Sequence, residues 1–170
     1  MQHYTTLLRS LVLLSLMGLA ACSGSKNVAP PRKEKSESIK NAPQVATVIS
    51  EARKYLGTRY KYAGNDKKGI DCSGLTCQAY KVVGIKLPRV AGDQVSAGKS
   101  VSAQQLQPGD LVFFKASTKS SGKITHVGIV TEVSKDNARF IHASTSKGVI
   151  ENDLLTGYWK PLLVKAVRVL

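Results

Sequence analysis

The chain has 170 residues, 42% of them hydrophobic, and a formal net charge of +14 at pH 7. That length fits one domain with an appended segment, and the apolar content is enough for one core. Such a charge asks for an anionic partner, but the lysines are scattered and aromatics make up only 6%. No nucleic-acid motif is present, so nucleic acid is excluded and an anionic extracellular polymer fits better.

Residues 7–21 form an apolar run broken only by Arg9 and serines. It is too short for a spanning helix, which needs about 20 apolar residues. It has the length of a signal-peptide core and ends in small residues, so 1–21 is expected to be removed. Leu19-Ala20-Ala21-Cys22 resembles a bacterial lipobox. That implies cleavage before Cys22 and lipidation of its sulfur; the alternative is an ordinary secretory signal. Several acyl chains would anchor the protein through the membrane surface. Ser23 follows the cysteine in place of aspartate. In a Gram-negative source this points to the outer membrane, periplasmic face. Residues 22–43 are rich in Lys, Ser, Pro and Glu. They bury too little to fold and read as a lipidated, flexible tether. The folded domain is then 44–170.

Gln44 to Leu56 reads as an amphipathic helix, with Val45, Val48, Ile49, Ala52 and Leu56 on its inner face and Gly57 ending it. Tyr60-Lys61-Tyr62 and a turn-rich stretch, 64–70, lead to Asp71-Cys72-Ser73-Gly74-Leu75. A second helix over Ser73–Val83 turns Leu75, Ala79, Val82 and Val83 inward and ends at Gly84. Cys72 therefore sits at a helix start, where unpaired N–H groups and the positive dipole end favour thiolate over thiol. With histidines elsewhere in the chain it is a candidate nucleophile; the alternative is a buried structural cysteine. Cys77 lies too far along the same helix to pair with Cys72. No disulfide is expected, and Cys77 reads as a core residue.

Leu87-Pro88-Arg89 interrupts the helical pattern, and 91–98 suggests a short helix containing Gln94. Leu106-Gln107-Pro108-Gly109-Asp110 is a turn before a strand at Leu111–Phe114. Lys115–Lys123 must be a surface loop. Strands follow at Ile124–Thr131, Ala138–Ser144, Val149–Glu151 and Leu162–Leu170. Helices first and strands later give an α+β fold, N-terminal helices packed on a C-terminal antiparallel β-sheet.

His126 and His142 fall on consecutive strands joined by a polar hairpin loop at 134–137. A fold centred there places them opposite each other or within one register step, on one face, with Gly128 leaving room beside His126. Each histidine alone is more often a satisfied core residue. Together with Cys72 they provide a nucleophile, a base and a group that orients the base. A zinc site built from the same three residues is the rival reading, and a non-catalytic wall-binding protein is another.

Five stretches then resemble the NlpC-type cell-wall cysteine peptidase family, and within it the Spr-like outer-membrane lipoprotein endopeptidases. They are Gly57–Gly64, Asp71–Leu75, Leu106–Phe114, His126–Val130 and Phe140–Ala143, in the family's order. The resemblance implies a papain-like fold and a catalytic Cys72, His126 and His142. It implies substrate contacts at Tyr60, Asp71 and Ser73 and peptidoglycan stem peptides as substrate; no cofactor is expected, and a monomer is. The bond implied is either D-Ala–diaminopimelate or γ-D-Glu–diaminopimelate. The chain departs from the pattern at Ala63, where the family usually has glycine, and in a longer 115–123 loop.

Overall fold

A computed structural model describes residues 32–155 and 157–170. The expected signal peptide, Cys22 and the first part of the tether lie outside the described residues. Helix α1 spans Arg32–Arg53, and α2 spans Cys72–Lys81. Between them, β1 (Asn65–Asp66) and β2 (Gly69–Ile70) form a minimal hairpin. Six further strands make one sheet: β3 (Lys99–Val101), β4 (Leu111–Lys115), β5 (Ile124–Val133), β6 (Ala138–Ser144), β7 (Gly148–Asp153) and β8 (Leu163–Arg168). Their order is β3-β8-β4-β5-β6-β7, and every neighbouring pair is antiparallel. The α+β expectation holds. Among the described residues no helix is long and apolar enough to cross a membrane.

Helix α1 begins within the segment read as a tether and runs through Pro43. Lys and Glu favour helix by intrinsic propensity even where nothing is buried. The described part of this extension, from Lys40 to Pro43, is mostly exposed, which is why hydrophobic patterning alone did not show it. The stripe itself is real at Val48, Ile49 and Ala52, and Tyr55 continues it. Leu56, expected inside, is 49% exposed because the helix has ended and Gly57 turns the chain at φ +78°. Val82 likewise faces out at the C-terminal end of α2, and Tyr80 takes the buried place, its hydroxyl donating to the Gly109 carbonyl.

The sheet is apolar on both faces. Leu111, Phe113, Val127, Ile129, Ile141 and Ala143 pack under α1 and α2 with Val48, Ala52, Leu75 and Ala79. Val112, Phe114, Val130, Phe140 and Ala166 form a second cluster on the other face with Leu106, Leu154, Leu162 and Trp159. A sheet covered on both sides fixes strand register firmly, because a slip of one residue would exchange the two sets.

Candidate active site

Cys72 begins α2. Asp71 is its N-cap, in extended backbone, and its carboxylate accepts the Gly74 N–H at 2.7 Å. Arg89, from the segment that breaks the helical pattern, grips this cap. Its two terminal nitrogens donate to the two Asp71 carboxylate oxygens at 2.9 and 2.6 Å. They also donate to Ser73 Oγ at 2.8 Å and to the Gly64 carbonyl at 3.2 Å. Ser73 Oγ in turn donates to Asp71 at 3.3 Å. The loop before Cys72, the cap and the first turn of α2 are thereby held by one guanidinium in bidentate geometry. Gln94, completely buried, supports the next turn by donating to the Ser73 and Pro88 carbonyls.

The sulfur meets the sheet where two strands part. Val130 directs its N–H and C=O toward the β4 side, to Asp110 and Gly109. Strand edges alternate, so Val127 directs its own groups toward β6. The β5–β6 pairing reaches only to Ile129↔Ile141. The Val127 N–H is therefore left over, and it reaches the Cys72 sulfur. Burial pushes the Cys72 thiol up from its ordinary pKa; the N–H groups of Val127, Ser73 and Cys72 pull it down, and the Asp71 charge adds to the rise. The N–H groups at the helix start favour thiolate as expected, but desolvation of the sulfur outweighs them.

His126 and His142 lie on the sheet face of the second cluster, and His126 Nε2 is 2.8 Å from His142 Nδ1. They are diagonal, not directly opposite. His142 faces Gly128, where an added Cβ would stand 3.2 Å from the His142 Cβ and 2.6 Å from the Phe140 ring. His142 Nε2 is 2.9 Å from Asn152 Oδ1 on β7. An amide oxygen only accepts, so His142 carries its proton on Nε2 and leaves Nδ1 as an acceptor. His126 must then donate from Nε2, and its Nδ1 is left with a free lone pair. The chain of three side chains thus sets the tautomer that a base needs. Burial, then the neighbouring His142, pushes the His126 pKa down to about 3. His142 is lowered too, by burial, against the opposing bond to Asn152. Burial thus disfavours the charged form of the thiol and of both imidazoles.

The chain matches the NlpC/P60 family over residues 57–168. It belongs to that family. The probable endopeptidase NlpC of Escherichia coli K12 is 37% identical over 94% of this chain and 97% of its own length. The E. coli K12 murein DD-endopeptidase MepS/murein LD-carboxypeptidase is 37% identical over 89% of this chain and 77% of its own. Among solved structures, an NlpC/P60 protein from Bacillus cereus superposes with a TM-score of 0.65 at 31% identity, covering 74% of this chain and 40% of that one. A Staphylococcus aureus lipoprotein-like family member gives 0.63 at 40% identity, covering 75% and 41%.

Within this NlpC/P60 domain, the structure brings His126 and His142 together and puts Cys72 against the residue after His126. Tyr60 lies close by: burial first, then the charges of Cys72 and Asp71, raise its hydroxyl pKa. Asp71 and Ser73 are only 6% and 5% exposed, and their polar atoms are engaged by Arg89. Among the described residues no group of three His, Cys, Asp or Glu side chains is arranged to hold a metal. Sequence reasoning missed Asn152, Arg89 and Trp159. Trp159 stacks on His126, centroids 5.6 Å apart, and meets His142 edge-on at 4.7 Å. An Asn one residue from the end of a β-strand and an Arg after a proline look like ordinary surface residues. The single tryptophan of the chain was the one visible signal.

Proposed function

We propose that the chain is a peptidoglycan endopeptidase that works through a Cys72 thioester, with His126 as base and His142 orienting it. The observation that carries this is the hydrogen-bonded series Asn152–His142–His126, which leaves one imidazole lone pair free next to the residue that contacts the sulfur. His126 Nδ1 takes the thiol proton as the sulfur attacks a stem-peptide carbonyl. The Cys72 backbone N–H, at the start of α2, donates to the oxyanion. The tetrahedral adduct collapses, the amide C–N bond breaks, and His126 returns the proton to the leaving amine. A water, deprotonated by His126, then cleaves the thioester and restores the thiol.

The preferred bond is the D-Ala–diaminopimelate cross-link, and the other candidate is γ-D-Glu–diaminopimelate. The match along most of the chain to a protein named as a murein DD-endopeptidase supports the first. A shorter match is to a Bacillus subtilis muramidase/DL-endopeptidase, of which this chain covers 36%. The zinc reading loses ground, since the facing nitrogens of the two histidines are engaged with each other at 2.8 Å. Cleavage of purified sacculi should survive a strong chelator and disappear in Cys72→Ala with the fold retained. Cleavage by folded Cys72→Ala would end the thioester mechanism. Mass spectrometry of the fragments separates the two bonds.

The same reading places the protein as a monomer on the periplasmic face of the outer membrane, held by lipid on Cys22. Cys22→Ala should lose labelling by radioactive palmitate and leave the membrane fraction. Unchanged labelling would refute the anchor.

A further inference from the structure

We propose that Trp159 is a positioning residue for the reaction: its indole walls the histidine pair off from water and holds His126 in the neutral, Nε2-protonated form. This rests on the base role assigned to His126. The indole lies nearly parallel to the His126 ring, 20° between planes, and is edge-on to His142 at 71°. Phe114 and Phe140 close around the same indole at centroid distances of 4.9 and 5.1 Å. Phe140 stacks under His142 at 4.8 Å and 16°, and Phe114 stands 6.1 Å from His126. Three aromatic side chains therefore wall the pair, and among the described residues only Trp159 touches both imidazoles from outside the sheet. It comes from the short segment between β7 and β8, next to the exposed Tyr158.

Two effects of an indole on an imidazole oppose each other. A ring face attracts a cation and would favour imidazolium. Excluding water disfavours imidazolium. Here exclusion wins, since burial leads the causes that bring His126 down to about 3. The ionisable groups facing His126 are His142 from β6 and, through Val127, Cys72 from α2; Phe114 on β4 and Trp159 bring none, and Lys160 and Tyr158 beside Trp159 are exposed. Among the described residues no carboxylate is one of them to stabilise a proton on the ring. Loss of the indole would admit water to the edge of the pair and remove the stack that fixes the plane of His126. The second consequence is mechanical, because a rotated His126 no longer keeps its 2.8 Å contact with His142 Nδ1.

Trp159→Ala should lower kcat at neutral pH at least tenfold with KM within about twofold. It should also move the acid limb of kcat/KM upward by a unit or more, toward the ordinary histidine pKa. Trp159→Phe, which restores an aromatic wall, should return most of kcat and the original limb. A Trp159→Ala enzyme that is less stable but keeps its kcat and acid limb would show a packing role only and overturn the proposal. A second measurement needs neither turnover nor a variant. Trp159 is the only tryptophan in the chain, so its fluorescence reports on the imidazole stacked against it. In the intact protein, quenching by imidazolium should begin only well below pH 5. A quench with its midpoint near 6.5 would show an unshielded histidine and overturn the proposal. Full cleavage by folded Cys72→Ala would instead remove the thioester mechanism, leaving the fluorescence result to be read by itself.

Discussion

Ala63 shows how much a single side chain can reveal. It has φ +58°, the only non-glycine among the described residues with positive φ. An L-residue there brings its Cβ close to the following carbonyl, at a cost of about 1–2 kcal/mol. The chain needs that conformation because Gly64 must turn back at once: its N–H donates to the Lys61 carbonyl, and its own carbonyl accepts from Asp71 N–H and Arg89. Ala63 thus sits in the loop that Arg89 ties to the nucleophile's helix. Ala63→Gly should stabilise the fold, with the relieved strain reduced by roughly 0.4–1 kcal/mol for the freer unfolded chain. A net gain of about 0.5–1 kcal/mol in urea denaturation, with activity unchanged, is the expected outcome. A loss of stability would mean that the turn is not strained. The departure from the family pattern was visible in the sequence, but its cost was not, because φ is set by neighbours that no local pattern names.

The pairing of β5 with β6 carries the main lesson at the scale of elements. A polar loop between two histidine-bearing strands was enough to predict that the rings share a face. The route by which they do so is different. Next to the loop, Glu132 pairs with Arg139 and Val133 with Ala138; beyond Thr131 the register becomes Val130↔Phe140 and Ile129↔Ile141. Thr131 is an extra residue on β5, a β-bulge. Carried on without it, the loop-side register would put His142 on the face of Val127 and Ile129, away from His126. The bulge thus makes the histidine pair possible, and Gly128 lets His142 come in beside it. Thr131 Oγ1 is buried without a hydrogen-bond partner among the described residues, which fits a position held by register. Ile129, Val130 and Thr131 are consecutively buried, so no alternation betrayed the slip. Strand positions from Leu111 onward, and α2 with its cap, were legible because each has its own periodic or turn signature. The edge strand β3, mostly exposed and three residues long, and the extension of α1 had none. Asn152 acquires its role only through β7 pairing with β6, where His142 lies opposite Ile150. That is a contact between strands which no single stretch of sequence states.

At the scale of the whole molecule, the buried His142 and the half-buried His126 tie stability to pH. Above the ordinary histidine pKa of 6.5, native and unfolded chains both keep residue 126 neutral, and it contributes no pH dependence. As the pH falls below 6.5, the unfolded chain takes up a proton that the native ring refuses, so stability drops. The drop continues until the native ring itself protonates, at about 3. His142, lowered in the same direction, adds to the slope within the same region. One such proton is worth about 1.4 kcal/mol per pH unit. His126→Gln keeps a donor near His142 and does not titrate. Measured by urea denaturation between pH 7 and 4, wild type should lose stability more steeply than the variant by about that slope. The carboxylates titrate in both proteins and cancel in the difference. Parallel curves would mean that His126 is protonated as easily in the native state as in the unfolded one. The base at the centre of the proposed mechanism would then rest as imidazolium over much of that range.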